Sequence, residues 1–298
     1  MDEREALALL ADRLPHAGDD AAVVDGLVLT TDMLHETTDF PDGTTRYTAG
    51  WRAVGASLSD LAAMGAEAIA AVAVYAAPTF DADEVTAFVD GARDVCERVE
   101  AAYVGGDLDE HVEFTTATTA LGRTDKPVSR SGASPGDMLC VTGTLGRSAA
   151  ALRLFEAGRN ERANELFRFP PRVRAGRAIA PHATAMMDSS DGLARSLHQL
   201  AEASDCGFAV DGGALPIDES LTSVTDDRAE ARRLATTFGE DFELVFTAPS
   251  EEVATIRATT HDPVTVIGEV TDDGVTIDGK PLADEGYTHG SGSDSSHG

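Results

Sequence analysis

Apolar and polar positions alternate between helical and strand-like spacing along the whole chain. Residues 3–14 place apolar side chains at helical spacing. Leu27-Val28-Leu29-Thr30-Thr31 predicts a short strand that ends at Asp32. Residues 47–64 predict a helix, and residues 69–75 a buried strand. Asp81-Ala82-Asp83-Glu84 then puts acids where the next helix starts and its dipole favours them. Residues 112–121 are rich in threonine and β-prone.

The same alternation repeats after a cluster of small and turn-forming residues, Arg130-Ser131-Gly132-Ala133-Ser134-Pro135-Gly136. A fresh strand follows at residues 138–141, and a hairpin is predicted from residues 264–270 and 275–277 with Asp272-Asp273-Gly274 as its turn. Mixed helix and strand argue for an α/β or α+β protein. The expected division is a first domain over residues 1–135 and a second over residues 136–289. Residues 290–298, mostly glycine and serine, have nothing to bury and are expected to be a disordered tail.

Composition narrows the function classes. The 298 residues are 42% hydrophobic, enough for a substantial core and for more than one domain. No stretch reaches the roughly 20 consecutive apolar residues that a membrane helix needs. The N-terminus is acidic and has no secretory pattern. Cys96, Cys140 and Cys206 are widely spaced and form no metal-type pair, which reads as inert thiols in a reducing cytoplasm. Charge is more telling: 52 acidic residues face 23 basic ones, a formal charge of −29, and the lysines are Lys126 and Lys280 alone. Such a field repels nucleic acid and anionic membrane, so neither is an expected partner. Because the charge is spread along the chain, it reads as adaptation to high salt in preference to one acidic interaction surface.

The chain has no GxxxxGK[ST] phosphate loop, no GxGxxG after a strand, no HExxH and no GxSxG. Gly143-Thr144-Leu145-Gly146-Arg147-Ser148 reads as a strand-to-helix turn. What recurs is aspartate beside glycine, serine or threonine at expected strand ends: around Asp20, Asp32, Asp60, Asp107, and Asp188 with Asp191. Carboxylates that converge from separate loops suit a hard cation such as Mg²⁺. Phosphoryl transfer asks mainly for positioning and charge neutralisation, which such a cluster supplies without a phosphate-loop lysine. Each segment taken alone also reads as an ordinary Asx turn or helix cap.

The ordered series GDDAA, TTDM, SDLAAMGA, GGD, SRSGASPGD, VTGTLGRS, DSSDGL and GEDFELVF resembles the thiamine-monophosphate kinases, over residues 18–287. SDLAAMGA and GEDFELVF are the specific pieces. The resemblance implies the two-domain α/β fold shared with aminoimidazole ribonucleotide synthetase, with an N-terminal β-rich domain whose strands form a barrel in a homodimer. It also implies direct transfer of the ATP γ-phosphoryl group to thiamine monophosphate, with several Mg²⁺ ions and no covalent enzyme intermediate.

Carried over residue by residue, the resemblance makes Asp20, Thr30, Thr31, Asp32, Asp60, Asp107, Asp188 and Asp191 metal positions. Asp60 would bridge more than one ion; its alternative is an N-cap for a helix starting at Leu61. Gly106, Asp107, Arg130 and Ser190 correspond to ATP contacts, with a solvated surface charge as the alternative for Arg130. Glu240 and Tyr287 correspond to substrate contacts, Tyr287 reading otherwise as a packing residue. The family commonly has histidine where Asp39 stands, and Asp39 would face the cationic thiazolium instead. It also closes GY-x-HF where Gly286-Tyr287-Thr288-His289 is followed here by Gly290.

Two rivals within the superfamily fit less well. Selenophosphate synthetase would call for a reactive cysteine before Gly18, and none is present. Aminoimidazole ribonucleotide synthetase is disfavoured by GEDFELVF and the DSSDGL spacing. A binding module that has lost activity is disfavoured by the eight matched metal positions.

Overall fold

The computed structural model describes residues 13–14 and 18–286. Most of the helix expected over residues 3–14, Tyr287 and the tail over residues 290–298 lie outside the described residues.

Two sheets organise the chain. The first contains β1 (Ala22–Val24), β2 (Leu27–His35), β3 (Glu67–Ala77), β4 (Ala102–Glu110) and β5 (Thr115–Arg123), in the order β1-β2-β5-β3-β4. β3 and β4 run parallel, and the other pairs are antiparallel. Its helices are α1 (Glu36–Asp39), α2 (Arg46–Ala63) and α3 (Ala82–Arg98). Asp81 caps α3 by accepting from the amides of Asp83 and Glu84, as the acidic cluster predicts.

β2 does not stop at Asp32. It pairs with β5 without interruption from Leu27↔Arg123 to His35↔Thr115, so tertiary pairing carries it three residues further than its local sequence indicates. Alternation then turns Thr30 inward and leaves Leu27, Leu29 and Met33 exposed. β3 is likewise longer than expected and buried on one face only, since Val72 and Val74 are exposed.

α2 is buried along almost its whole length. Thr45 caps it, accepting from the Thr48 amide. Its small residues let it lie against the first sheet on one side and the second half of the chain on the other. Asp60 sits inside this helix, three residues before its end, which removes the alternative in which Asp60 caps a helix beginning at Leu61.

The second half holds β6 (Met138–Thr142), α4 (Arg147–Glu156), α5 (Asn160–Phe167), α6 (Val173–Ile179), β7 (Ala185–Asp188), α7 (Leu193–Ser204) and β8 (Gly207–Val210). It continues with α8 (Glu219–Thr222), α9 (Arg228–Thr237), β9 (Leu244–Ala248), α10 (Val253–Thr259), β10 (Val264–Thr271), β11 (Val275–Ile277) and β12 (Lys280–Pro281). Its sheet has the order β12-β11-β8-β10-β6-β9-β7.

The expected hairpin of β10 with β11 does not form. β8 lies between them, antiparallel to β10 and parallel to β11. The connecting turn passes over Gly207, where a Cβ would come within 2.1 Å of the Asp273 carbonyl carbon. A side chain at residue 207 would close that crossing, so the insertion of β8 depends on glycine there.

Candidate active site

The carboxylates of Asp20, Asp60 and Asp188 each place one oxygen within 4.8 Å of the others. They come from three separate places: the loop before β1, the last turn of α2, and the end of β7. Each is held by a specific donor. Thr30 Oγ1 donates to Asp60 Oδ2 at 2.5 Å, and Ser59 Oγ donates to Asp188 Oδ2 at 2.6 Å. Arg130 forks onto Asp20, Nε to Oδ2 at 3.2 Å and Nη2 to Oδ1 at 3.1 Å.

Two of these carboxyls, Asp60 and Asp188, titrate far from ordinary aspartates. Burial raises the Asp60 carboxyl well above its usual range, with Asp32, Asp188 and Asp20 adding to the rise and the Thr30 bond opposing it. Burial, then the Asp20 charge, pushes Asp188 up to about 7 despite hydrogen bonds from Ser59 and Ser190. For Arg130, burial works against the charged form, but Asp20, Asp188 and Asp60 outweigh it and its pKa is raised. A set of carboxylates this close calls for compensating positive charge.

Beside the cluster lies a cavity of about 450 Å³ lined by Thr31, Asp32, His35, Ser190, Asp191 and Glu240, among others. Asp32 accepts from Ser57 Oγ at 2.5 Å, so α2 also fastens this carboxylate. Thr31 Oγ1 donates to the Thr118 carbonyl. Ser190 and Asp191 stand on the turn that follows β7, where the Ser190 amide donates to Asp188 Oδ1. A second cavity, of about 490 Å³, is bounded by Asp39, Phe40, Phe167, Phe238 and again Glu240. Asp39 accepts there from the His35 amide and from Thr38 Oγ1. Glu240 thus borders both spaces.

Gly106 and Asp107 lie elsewhere, on the exposed edge strand β4. The close approach made by Gly106 is to its neighbour in the sheet, since a Cβ would meet the Ala73 carbonyl oxygen at 1.7 Å. Asp107 Oδ1 accepts from the Leu108 amide. Tyr287 lies outside the described residues.

GEDFELVF carries more than Glu240. Asp241, pushed up to about 7 chiefly by burial, accepts from the amides of Gly146 and Ser148 at the start of α4. Glu243 accepts from both Arg172 nitrogens Nε and Nη2 and from Thr142 Oγ1. Its amide and carbonyl pair with Ser189. The motif therefore ties the glycine turn after β6 to the turn after β7.

Sequence reasoning passed over Ser57, Ser59, Arg52 and His35. The first three share α2 with Asp60, and the signal was there to find. Residues 50–63 contain two charged side chains, Arg52 and Asp60, and two hydroxyls, Ser57 and Ser59, in an otherwise apolar or glycine run. Polar groups so isolated in a buried helix need partners.

The fold and this acidic cleft define a chain of the AIR synthase related class. The N-terminal domain of AIR synthase related proteins matches residues 18–124, and their C-terminal domain matches residues 134–280. The thiamine-monophosphate kinase of Halobacterium salinarum is 63% identical over 97% of this chain and 100% of that protein. That of Methanospirillum hungatei is 39% identical over 97% and 99%. This chain belongs to the thiamine-monophosphate kinase family. Among solved structures, AaThiL complexed with AMPPCP and TMP superposes with a TM-score of 0.89 at 29% identity, covering 97% of each chain. The enzyme of Stenotrophomonas maltophilia does so with a TM-score of 0.80 at 33% identity, over 93% and 95%.

Proposed function

We propose that this chain transfers the γ-phosphoryl group of ATP to thiamine monophosphate, giving thiamine diphosphate and ADP. The observation that carries the reading is the Asp20–Asp60–Asp188 cluster beside a cleft bordered by Glu240. A terminal oxygen of the monophosphate forms the new bond to the γ-phosphorus while the bond to the ADP oxygen breaks. That nucleophile is already anionic, so the protein need not supply a general base. Its task is to hold two anions in line and offset their repulsion.

The donor set fits Mg²⁺: three buried carboxylates with hard oxygens, and Arg130 paired with Asp20 alone among them. In this reading Asp20, Thr30, Thr31, Asp32, Asp60, Asp188 and Asp191 hold several ions at the cleft, and Asp107, outside the cluster on β4, holds an ion apart from it. When bound, these neutralise the charge of the triphosphate and of the leaving oxygen. Gly106, Asp107, Arg130 and Ser190 contact ATP. Glu240, Asp39 and Tyr287 contact the thiamine moiety, the two carboxylates facing its cationic ring.

The reading extends to assembly. Leu27, Leu29, Met33, Val72 and Val74 leave an apolar outer face on the first sheet, and β4 offers an open edge with Val104 and Leu108 exposed. Apolar faces and open edges of this kind are normally covered, and a second copy completing a barrel would cover them. Light scattering that found a monomer at micromolar concentration would remove the homodimer. The domain division at residues 135 and 136 is part of the same reading, supported by a first sheet that ends at Arg123 and a second that begins at Met138. The reaction is assigned to the cytoplasm; no described helix is long and apolar enough to cross a membrane.

Chromatography of the products tests the activity. With ATP and Mg²⁺, thiamine monophosphate should yield thiamine diphosphate and an equal amount of ADP, and unphosphorylated thiamine should yield nothing. Phosphorylation of thiamine without turnover of the monophosphate would overturn the assignment.

A further inference from the structure

Glu240 is held in an unusual way. Its backbone is left-handed, φ +61°, and Phe242 two residues on is left-handed as well, φ +53°. Side chains other than glycine and asparagine rarely adopt this conformation, so surrounding contacts must impose it. The Glu240 amide donates to the Ser190 carbonyl at 2.7 Å, and its carbonyl accepts from Ser148 Oγ at 2.6 Å. Phe242 stacks on Phe169, with ring centroids 4.0 Å apart and planes 15° apart.

The side chain of Glu240 is set by a residue from the other half of the molecule. Arg52, on α2, is 2% exposed and pairs through Nη2 with Glu240 Oε2. Its Nη1 donates to the Phe167 carbonyl, and its guanidinium lies 3.6 Å from the Phe167 ring centroid. Phe169 and Phe242 flank it at 5.2 and 5.6 Å. Burial lowers the Arg52 pKa, and Glu240 opposes that fall. A guanidinium stacked on an aromatic ring and bonded on two sides has one available orientation. The carboxylate it holds inherits that orientation.

We infer that Arg52 is a positioning residue for substrate recognition: it fixes the Glu240 carboxylate at the boundary of the two cavities so that it meets the cationic ring of the acceptor. The inference rests on the reading of Glu240 as a substrate contact. Arg52 itself lines neither cavity. Because α2 also carries Ser57, Ser59 and Asp60, one rigid helix sets the spacing between the acceptor's ring and the carboxylates proposed to hold the metal.

The test is a double-mutant cycle on the full-length protein, using Arg52→Gln, Glu240→Gln and both together. Melting curves accompany steady-state kinetics for thiamine monophosphate and ATP. Arg52→Gln is expected to raise KM for thiamine monophosphate about tenfold or more, leaving kcat and KM for ATP within about threefold. The double variant should be no worse than Glu240→Gln, since the two act as one unit. Arg52→Lys keeps the charge but not the fork, and should fall between wild type and Arg52→Gln. If Arg52→Gln does not fold, Arg52→Lys carries the test with the same split between KM and kcat. An unchanged KM in Glu240→Gln would sink the substrate reading of Glu240 itself. A raised KM in Glu240→Gln with additive effects in the cycle, or with an Arg52 variant that alters ATP kinetics equally, would overturn the role given to Arg52.

Discussion

Ser59 Oγ donates to Asp188 Oδ2 across 2.6 Å, a bond that joins the long helix of the first half to the end of a strand in the second. It favours the ionised form of a carboxylate that burial pushes towards protonation. Ser59→Ala should therefore raise the Asp188 pKa further above about 7. A protonated carboxyl competes poorly for a hard cation. The Mg²⁺ concentration for half-maximal rate should rise several-fold at pH 7 and much less at pH 8.5, where Asp188 ionises in either protein. Magnesium titrations at the two pH values check this; an equal shift at both would mean that the serine acts through packing.

The same titration predicts how the metal-free protein responds to pH. Asp188 and Asp241 have folded-state pKa values of about 7, raised above the usual carboxylate value near 4 in the unfolded chain. Such groups bind protons more tightly when folded, so their stabilisation is full below about pH 4 and is lost as pH rises through about 7. Melting temperature in EDTA should fall between pH 5.5 and 8, and Asp188→Asn should flatten part of that fall. A saturating level of Mg²⁺ should oppose it, because metal stabilises the ionised form. A metal-free protein that melts higher at pH 8 than at pH 5.5, with no response to Asp188→Asn, would contradict this.

Salt supplies a third expectation. With a formal charge of −29, unpaired surface carboxylates repel one another at low ionic strength. Screening shortens from about 10 Å at 0.1 M to about 3 Å at 1 M. Melting temperature and activity should both rise with KCl into the molar range. A melting temperature that is flat or falling between about 0.1 and 2 M would remove the high-salt reading.

The sequence made the local features legible and the non-local ones much less so. Arg46–Ala63 and its Asp81-capped neighbour were readable because caps and helical periodicity are written within a few residues. The insertion of β8 between β10 and β11 was not, since Asp272-Asp273-Gly274 looks locally like a hairpin turn whichever strand lies beside it. Asp60 drew two readings because its motif, taken alone, also fits a cap before Leu61. The helix expected over residues 47–64 already enclosed it, and the cap at Thr45, fifteen residues earlier, decides for that one continuous helix. Asp20, Asp60 and Asp188 were legible by family resemblance, but Arg52 was not. An arginine on a helix usually reads as a solvated face. Its isolation in the apolar run of residues 50–63 pointed to burial, but its partners, Phe167, Phe242 and Glu240, come from far along the chain and show only in the packing.

The central claim is that the charge of the Asp20–Asp60–Asp188 cluster carries the phosphoryl transfer, and Asp60→Asn tests it most directly. Asparagine keeps the shape and one carbonyl oxygen but removes the negative charge that a hard-cation site requires. Relieved of repulsion from Asp32, Asp188 and Asp20, the variant should melt no lower than wild type without metal. Its kcat with thiamine monophosphate should drop by about a thousandfold or more at millimolar Mg²⁺, the scale expected when several kcal/mol of metal charge stabilisation are lost. A folded Asp60→Asn protein that turns over thiamine monophosphate at near wild-type rate under those conditions would contradict the account.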